Sequence, residues 1–251
     1  MPTIVENSYG KLFQYTMKAI NPVKKVIMTT ECKVHRVINI QALVILKSDK
    51  KFEQFKLFSQ YITELNLGVV WADQDFKSSG HFYNPIKDRG LYGNTNALSL
   101  ANNYYSFALG YYESGDIKRA MFFLGAAAHL VQDMTVPQHA NIKLLKEHHK
   151  FEKFVRDTLL STPEYLVCEN GCYLKDIKEF IRQNAINAIK ANSRLSTIID
   201  DERRYYELTK IVLPLAQRST AGLFSMFYND IHQVKYCRMK YGQCDQAGFF
   251  A

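Results

Sequence analysis

The stretch 120–131 is apolar almost all the way round a helical projection, and a helix with no polar face has to lie at the centre of a bundle. It is too short to span a bilayer and is interrupted by Gly125 and His129, as is every other apolar run of the chain by some polar residue. Partners for such a helix are legible elsewhere. Apolar residues recur three and four apart through 34–46, 52–67, 96–112, 116–134, 148–160, 174–189 and 201–231, while the alternation expected of strands is nearly missing. The expected fold is therefore all-α, a single multi-helix domain with its site in a cleft between helices.

Local punctuation sharpens this outline. Gly115-Asp116 reads as a helix stop followed by an N-cap, so 114–117 is a tight turn between helices. Pro137 ends the helix before it, and Pro214 is expected to kink the last one. Residues 73–95 carry Gly80, Pro85, Gly90 and Gly93 without a clear period and read as a long loop, a feature often functional in a compact domain. No Pro/Gly/Ser-rich linker or internal repeat divides the 251 residues, so one domain over 1–251 is expected, with the motifs in about 35–160 and a helical tail over about 174–232.

The central helix carries a problem of its own. His129 and Asp133 lie on one face, roughly 6 Å apart along the axis, and a carboxylate in apolar surroundings must be paired or coordinate a metal. For this pair alone a private His–carboxylate hydrogen bond is a sufficient account. The sequel changes the balance: His139 follows just beyond Pro137, and His148 with Glu152 repeats the four-residue spacing on the next helix. Imidazole and carboxylate are zinc ligands where thiolates are absent, and five of them exceed what one catalytic zinc requires, so at least two metals are implied. His149 matches the repeated spacing less well and is read as a surface residue.

The run His129-Leu-Val-Gln-Asp133-Met-Thr-Val-Pro137-Gln-His139-Ala-Asn141, followed by His148-His-Lys-Phe-Glu152, resembles the signature of the bacterial zinc-dependent phospholipases C, the family that includes the catalytic domain of clostridial alpha-toxin. Upstream, His81-Phe-Tyr-Asn-Pro85 is similar to that family's His-Phe-Tyr-Asp-Pro segment, and Gly68-Val-Val-Trp-Ala-Asp73 to the block that supplies its catalytic aspartate. Val34-His35-Arg-Val-Ile38 stands where the family places a further zinc-binding histidine. The resemblance implies one zinc held by His81, His129 and Asp133 with Asp73 beside it, and a second held by His139, His148 and Glu152. Asp133 would bridge to a third ion on His35. In the family that ion is completed by an N-terminal tryptophan, whereas the only tryptophan here is Trp71. The third ion is left to water or to Cys32, which precedes His35 by three residues but reads better as a small buried hydrophobe, or is not held at all.

The resemblance implies hydrolysis of the glycerol-side phosphodiester of glycerophospholipids by metal-activated water, with Asp73 orienting or deprotonating the water and Asp75 as runner-up. No Gly-x-Ser-x-Gly or phosphate-cradling Gly-rich loop suggests a covalent route. Choline-preferring relatives carry rings where this chain has Gln74 and Ser78, so a choline preference is not expected unless Phe76 or Tyr83 rebuilds the cage.

A net charge of +8 favours an anionic partner, and its dispersed lysines and arginines form no nucleic-acid tail. The expected partner is a phospholipid at a membrane surface, with no nucleic acid. A zinc-dependent single-strand nuclease of similar fold is the rival, set aside because Ala140-Asn141-Ile142-Lys143 replaces that family's Gly-Gly-Asn segment. A non-catalytic zinc-bearing protein that binds membranes or a partner is another alternative, although helical aromatic stripes such as Tyr104, Tyr105 and Phe107 or Tyr111 and Tyr112 are more often core. The close pairs Cys168/Cys172 and Cys237/Cys244 are compatible with small disulfide loops, with free thiols or, for the first, with a metal. No secretory signal is visible in this numbering, and the implied location is secreted or exported from a bacterial cell.

Overall fold

A computed structural model describes residues 33–74, 80–91, 95–142 and 146–241. Cys32, Asp75, Phe76, Ser78 and Cys244 lie outside them, as do Gly93, Lys143 and the side chain of Cys237. The helices in chain order are α1 (Lys33–Ser48), α2 (Phe52–Gln60), α3 (Ile62–Asp73), α4 (Ala97–Glu113), α5 (Ile117–Asp133), α6 (Pro137–Asn141), α7 (Lys146–Thr158), α8 (Ile177–Arg194) and α9 (Asp201–Tyr241). A 3-10 turn, Pro163–Tyr165, lies between α7 and α8. No strand occurs among the described residues.

The all-round apolar segment lies where its composition requires. From Leu124 to Asp133 every residue of α5 is buried, and the helix is surrounded by α3, α4, α8 and α9. Asp116 caps it as expected, its carboxylate accepting from the Arg119 N–H, after Gly115 closes α4 with φ +85°. α4 begins with a capping box in which Asn96 and Ser99 satisfy one another's backbone N–H.

Two small residues set how closely α3 approaches α5. A methyl on Gly68 would stand 2.0 Å from the Phe122 carbonyl oxygen, and one on Gly125 would stand 2.1 Å from that of Leu65. Both clashes are with backbone, so relief requires moving a whole helix. Gly125→Ala is expected to cost about 1–3 kcal/mol, the usual range for overpacking, even though alanine is the better helix former. Denaturant unfolding checks this, and an unchanged or improved midpoint would show that the helices have room to separate.

The periodicity over 52–67 predicts one helix, whereas the chain forms two, breaking at Tyr61 (φ −116°, ψ 21°). Tyr61 donates to Phe58 in a tight turn, and the change of direction satisfies two packings at once. Phe58 stays stacked on Phe224 of α9 at 5.0 Å, while α3 is free to lay Gly68 against α5. Asp73, read as the start of a loop, is the last residue of α3. α9 runs through Pro214 as a helix of 41 residues. Cys168 and Cys172 are free thiols rather than a closed loop, the first exposed and the second half-buried.

The two larger apolar clusters divide the bundle. One surrounds α5, and the other is formed by α7, α9, the 3-10 turn, Ala191 of α8 and Ile38 of α1. All of the candidate histidines and carboxylates except His81 come from helices packed into these clusters.

Candidate metal centre

Each ligand candidate is carried by a helix or held by one. His35 lies in the first turn of α1, His129 and Asp133 in the last turns of α5, His139 in the short α6 opened by Pro137, and His148 and Glu152 one turn apart on α7. His81 lies on a segment without helix, but that segment is pinned. The Tyr83 N–H donates to the His139 carbonyl at 3.3 Å, and Asn84 pairs with Arg89 across a turn.

The resulting geometry brings the distant candidates together. His81 Nδ1 is 2.9 Å and His129 Nε2 3.1 Å from Asp133 Oδ2, and the two nitrogens are 3.2 Å from each other. A tetrahedral zinc with ligands at about 2.0–2.1 Å separates them by about 3.3 Å, so this triangle is close to three corners of such a site. Asp73 falls in with His81 and His129, their ligand atoms all within 4.8 Å of one another, and His35 falls in with His129 and Asp133 on the same criterion. In the third group His148 Nε2 stands 3.0 Å from His139 Nε2 and 2.8 Å from Glu152 Oε1. His149 is exposed, as its spacing suggested.

Protonation states follow from the surroundings. Burial works against a charge on His129 more than the neighbouring Asp133 favours it, and the ring pKa is lowered. Asp133 also suffers burial, yet His129 and His139 together with hydrogen bonds from His129 and His81 hold its carboxyl well below the usual range. A neutral imidazole and an ionised carboxylate are the forms that bind metal. His139 Nδ1 is 3.2 Å from the His81 carbonyl, which can only accept. The ring proton is therefore on Nδ1, and Nε2 offers its lone pair toward His148 and Glu152. Burial opposes charge on His148, but hydrogen bonding and attraction from Glu152, with weaker contributions from Asp133 and Asp73, raise its pKa. Glu152 is driven the other way: partial desolvation of a side chain that stays half-exposed is outweighed by His139 and His148, and its carboxyl is lowered. The donor set thus fits zinc in type and spacing.

Phe82 and Tyr83, which the sequence marks only as part of the His81–Pro85 segment, support the centre in ways their spacing does not show. Phe82 stacks on the His139 ring at 4.8 Å and 29°, fixing its plane. Tyr83 is fully buried and donates to Asp88 Oδ1 at 2.6 Å while accepting from Arg182 Nη1 at 3.0 Å. Burial and Asp88 push its phenol up to about 12. Its ring is therefore not available to a quaternary ammonium, and it serves instead to tie the His81 segment to α8. Only the neighbouring Asn84-Pro85 turn residues hinted that this segment is shaped locally.

A helical bundle that gathers histidines and carboxylates into groups able to hold a metal ion has the make-up of a metal-dependent protein. The sequence pattern of zinc-dependent phospholipase C matches residues 34–205, and the chain belongs to that family, which is zinc-dependent. Phospholipase C of Clostridium perfringens is 24% identical over 80% of this chain and 60% of its own length. That of Listeria monocytogenes is 32% identical over 63% of this chain and 61% of its own. The chain thus spans about 60% of the length of these relatives. Among solved structures, the alpha-toxin of a Clostridium perfringens avian strain superposes with a TM-score of 0.69 at 22% identity, covering 80% of this chain and 64% of that one. The alpha-toxin of Clostridium absonum gives 0.68 at 19%, with 79% and 63% covered. These two likenesses are of fold. No helix among the described residues is long and apolar enough to cross a membrane.

Proposed function

We propose that this chain is one catalytic domain that hydrolyses the glycerol-side phosphodiester of glycerophospholipids, releasing diacylglycerol and a phosphorylated head group. The observation that carries this reading is the meeting of two complete trios, His81/His129/Asp133 and His139/His148/Glu152, with Asp73 beside the first. His81, His129 and Asp133 would hold one zinc, His139, His148 and Glu152 a second, and His35 with Asp133 a weaker third. When bound, zinc lowers the pKa of water and offsets negative charge on phosphoryl oxygens. The chain's own residues do the rest. Buried His81, His129 and Asp133 keep a fixed polar floor in low dielectric, where charge stabilisation is strongest. Half-buried Asp73, at the C-terminal end of α3, orients the attacking water and takes its proton. No side chain forms a covalent bond with the substrate.

The partner is a phospholipid at a membrane surface, met outside the bacterial cell after export. Gln74 is half-buried beside Asp73 and presents an amide where choline-preferring relatives have a ring, and Tyr83 is committed elsewhere. A quaternary ammonium then lacks about 0.5–2 kcal/mol of cation-π stabilisation per missing ring. Vesicles of phosphatidylcholine, phosphatidylethanolamine or phosphatidylglycerol, alongside single-stranded DNA, test the reading by release of diacylglycerol or of nucleotides. Lipid cleavage with little advantage for phosphatidylcholine is expected, the anionic lipid gaining most at low salt. Nucleotide release without lipid cleavage would sink the proposal in favour of the nuclease.

A further inference from the structure

Gln132 sits one residue before Asp133 on α5, and its fully buried carboxamide joins a polar seam between α1, α3 and α9. Nε2 lies 2.9 Å from Asn39 Oδ1 and 3.1 Å from Thr220 Oγ1, while Oε1 lies 2.8 Å from His35 Nδ1. Which end of the amide is nitrogen follows from the neighbours. Thr220 donates its only hydroxyl proton to the Ala216 carbonyl at 2.8 Å, so toward Gln132 it can only accept, and the atom facing it must be the NH2. Asn39 completes the chain, accepting from Gln132 and donating to Asn66 Oδ1 at 3.0 Å.

The other end of the amide is then a carbonyl oxygen, which has no proton to give. His35 Nδ1 must carry the proton in that contact, and in the neutral ring the lone pair is left on Nε2. That atom stands 3.6 Å from Asp133 Oδ1, too far for a hydrogen bond and with an acceptor on either side of the gap. Two lone pairs facing one another at this separation are stabilised by a cation between them.

We propose that Gln132 is a positioning residue which, oriented by Thr220 and Asn39, fixes the tautomer of His35 so that its Nε2 lone pair and Asp133 Oδ1 are offered together to a divalent metal ion. The role of the ion rests on the metal reading proposed above, but the tautomer does not. The ring is thereby preset and is not free to turn its proton toward Asp133. Outer hydrogen bonds of this kind commonly change metal affinity by about 10- to 100-fold.

Nitrogen-15 NMR of the histidine rings, recorded on zinc-loaded and metal-stripped protein with the ring neutral, reads the tautomer directly. His35 is expected to be protonated at Nδ1 in either form. In Gln132→Met, which removes the carbonyl at similar length, and in Thr220→Val, which removes the acceptor that orients the amide, the proton should move toward Nε2. Zinc affinity at this position should fall about 10- to 100-fold while the other ions remain, as followed by zinc titration with elemental analysis. A proton on Nε2 in the metal-stripped wild type would overturn the proposal without reference to any variant, as would an unchanged tautomer and zinc affinity in both variants. Protein that binds no zinc yet keeps its proton on Nδ1 would uphold the tautomer lock and refute the metal reading separately.

Discussion

His129→Ala is expected to lose zinc and to lower the melting temperature by on the order of 10 °C, and addition of a strong chelator to the wild type should reproduce most of that drop. An ion bound only by the folded protein stabilises it by linkage, about 4 kcal/mol when free metal is a thousandfold above its dissociation constant. For a domain of about 250 residues each 1 kcal/mol shifts the midpoint by about 2–4 °C. His129 is also the residue whose loss hurts most without metal. Asp133 is 4% exposed and kept ionised by its histidines, and truncating the ring 3.1 Å away leaves a buried carboxylate short of a partner. His148→Ala should show the chelator-sensitive part with less of the second, because Glu152 has a side chain 47% exposed and water can replace its partner. His149→Ala, on the same helix but exposed, should do neither. Calorimetry with and without chelator, read beside zinc content, distinguishes these cases. Unchanged melting in both the His129 and the His148 variants would mean that neither is a ligand.

How much of this was readable from residues alone depends on how far apart the interacting groups lie. His129/Asp133 and His148/Glu152 repeat at i, i+4, so helix geometry alone places each pair on one face. The apolar run of 120–131 likewise announces a central helix. That the two pairs converge is not a property of either helix, since it depends on the turn at Pro137 and on how α7 packs against α9. His35, Asp73 and His81 became candidates through resemblance, because an isolated histidine or aspartate has no period. The break at Tyr61 was hidden by continuous helical periodicity on both sides, and with it the placement of Asp73 at a helix end. Gln132 was silent for the same reason: its partners Asn39 and Thr220 are 93 and 88 residues away in sequence. Arg182 reaches Tyr83 across 99. Close helix crossings, buried amide seams and ring tautomers are set by tertiary contacts, which a single sequence expresses only as polar residues on otherwise apolar faces.

Asp73→Asn is expected to keep its zinc and its melting temperature but to lose about 100- to 10,000-fold in kcat, the usual contribution of a positioned general base. The substitution changes neither length nor planarity of half-buried Asp73, the last residue of α3. What changes is charge and proton affinity. An amide accepts a hydrogen bond and can still orient water, but it cannot take a proton at neutral pH, so binding should survive and the chemical step should not. A second readout follows from electrostatics: Asp73 is one of the carboxylates whose negative charge helps to raise the pKa of His148, so the His148 ring of the metal-stripped variant should titrate at lower pH than in the wild type. That shift requires only that the Asp73 charge lie near the centre, whereas the fall in kcat requires that it take part in turnover, and observing one without the other separates position from chemistry. Asp75→Asn serves as the comparison. Normal turnover in the Asp73 variant with a defect in the Asp75 variant would exchange their roles. Zinc lost from the Asp73 variant would make it chiefly a ligand, in keeping with the distance of its carboxylate from His81 and His129.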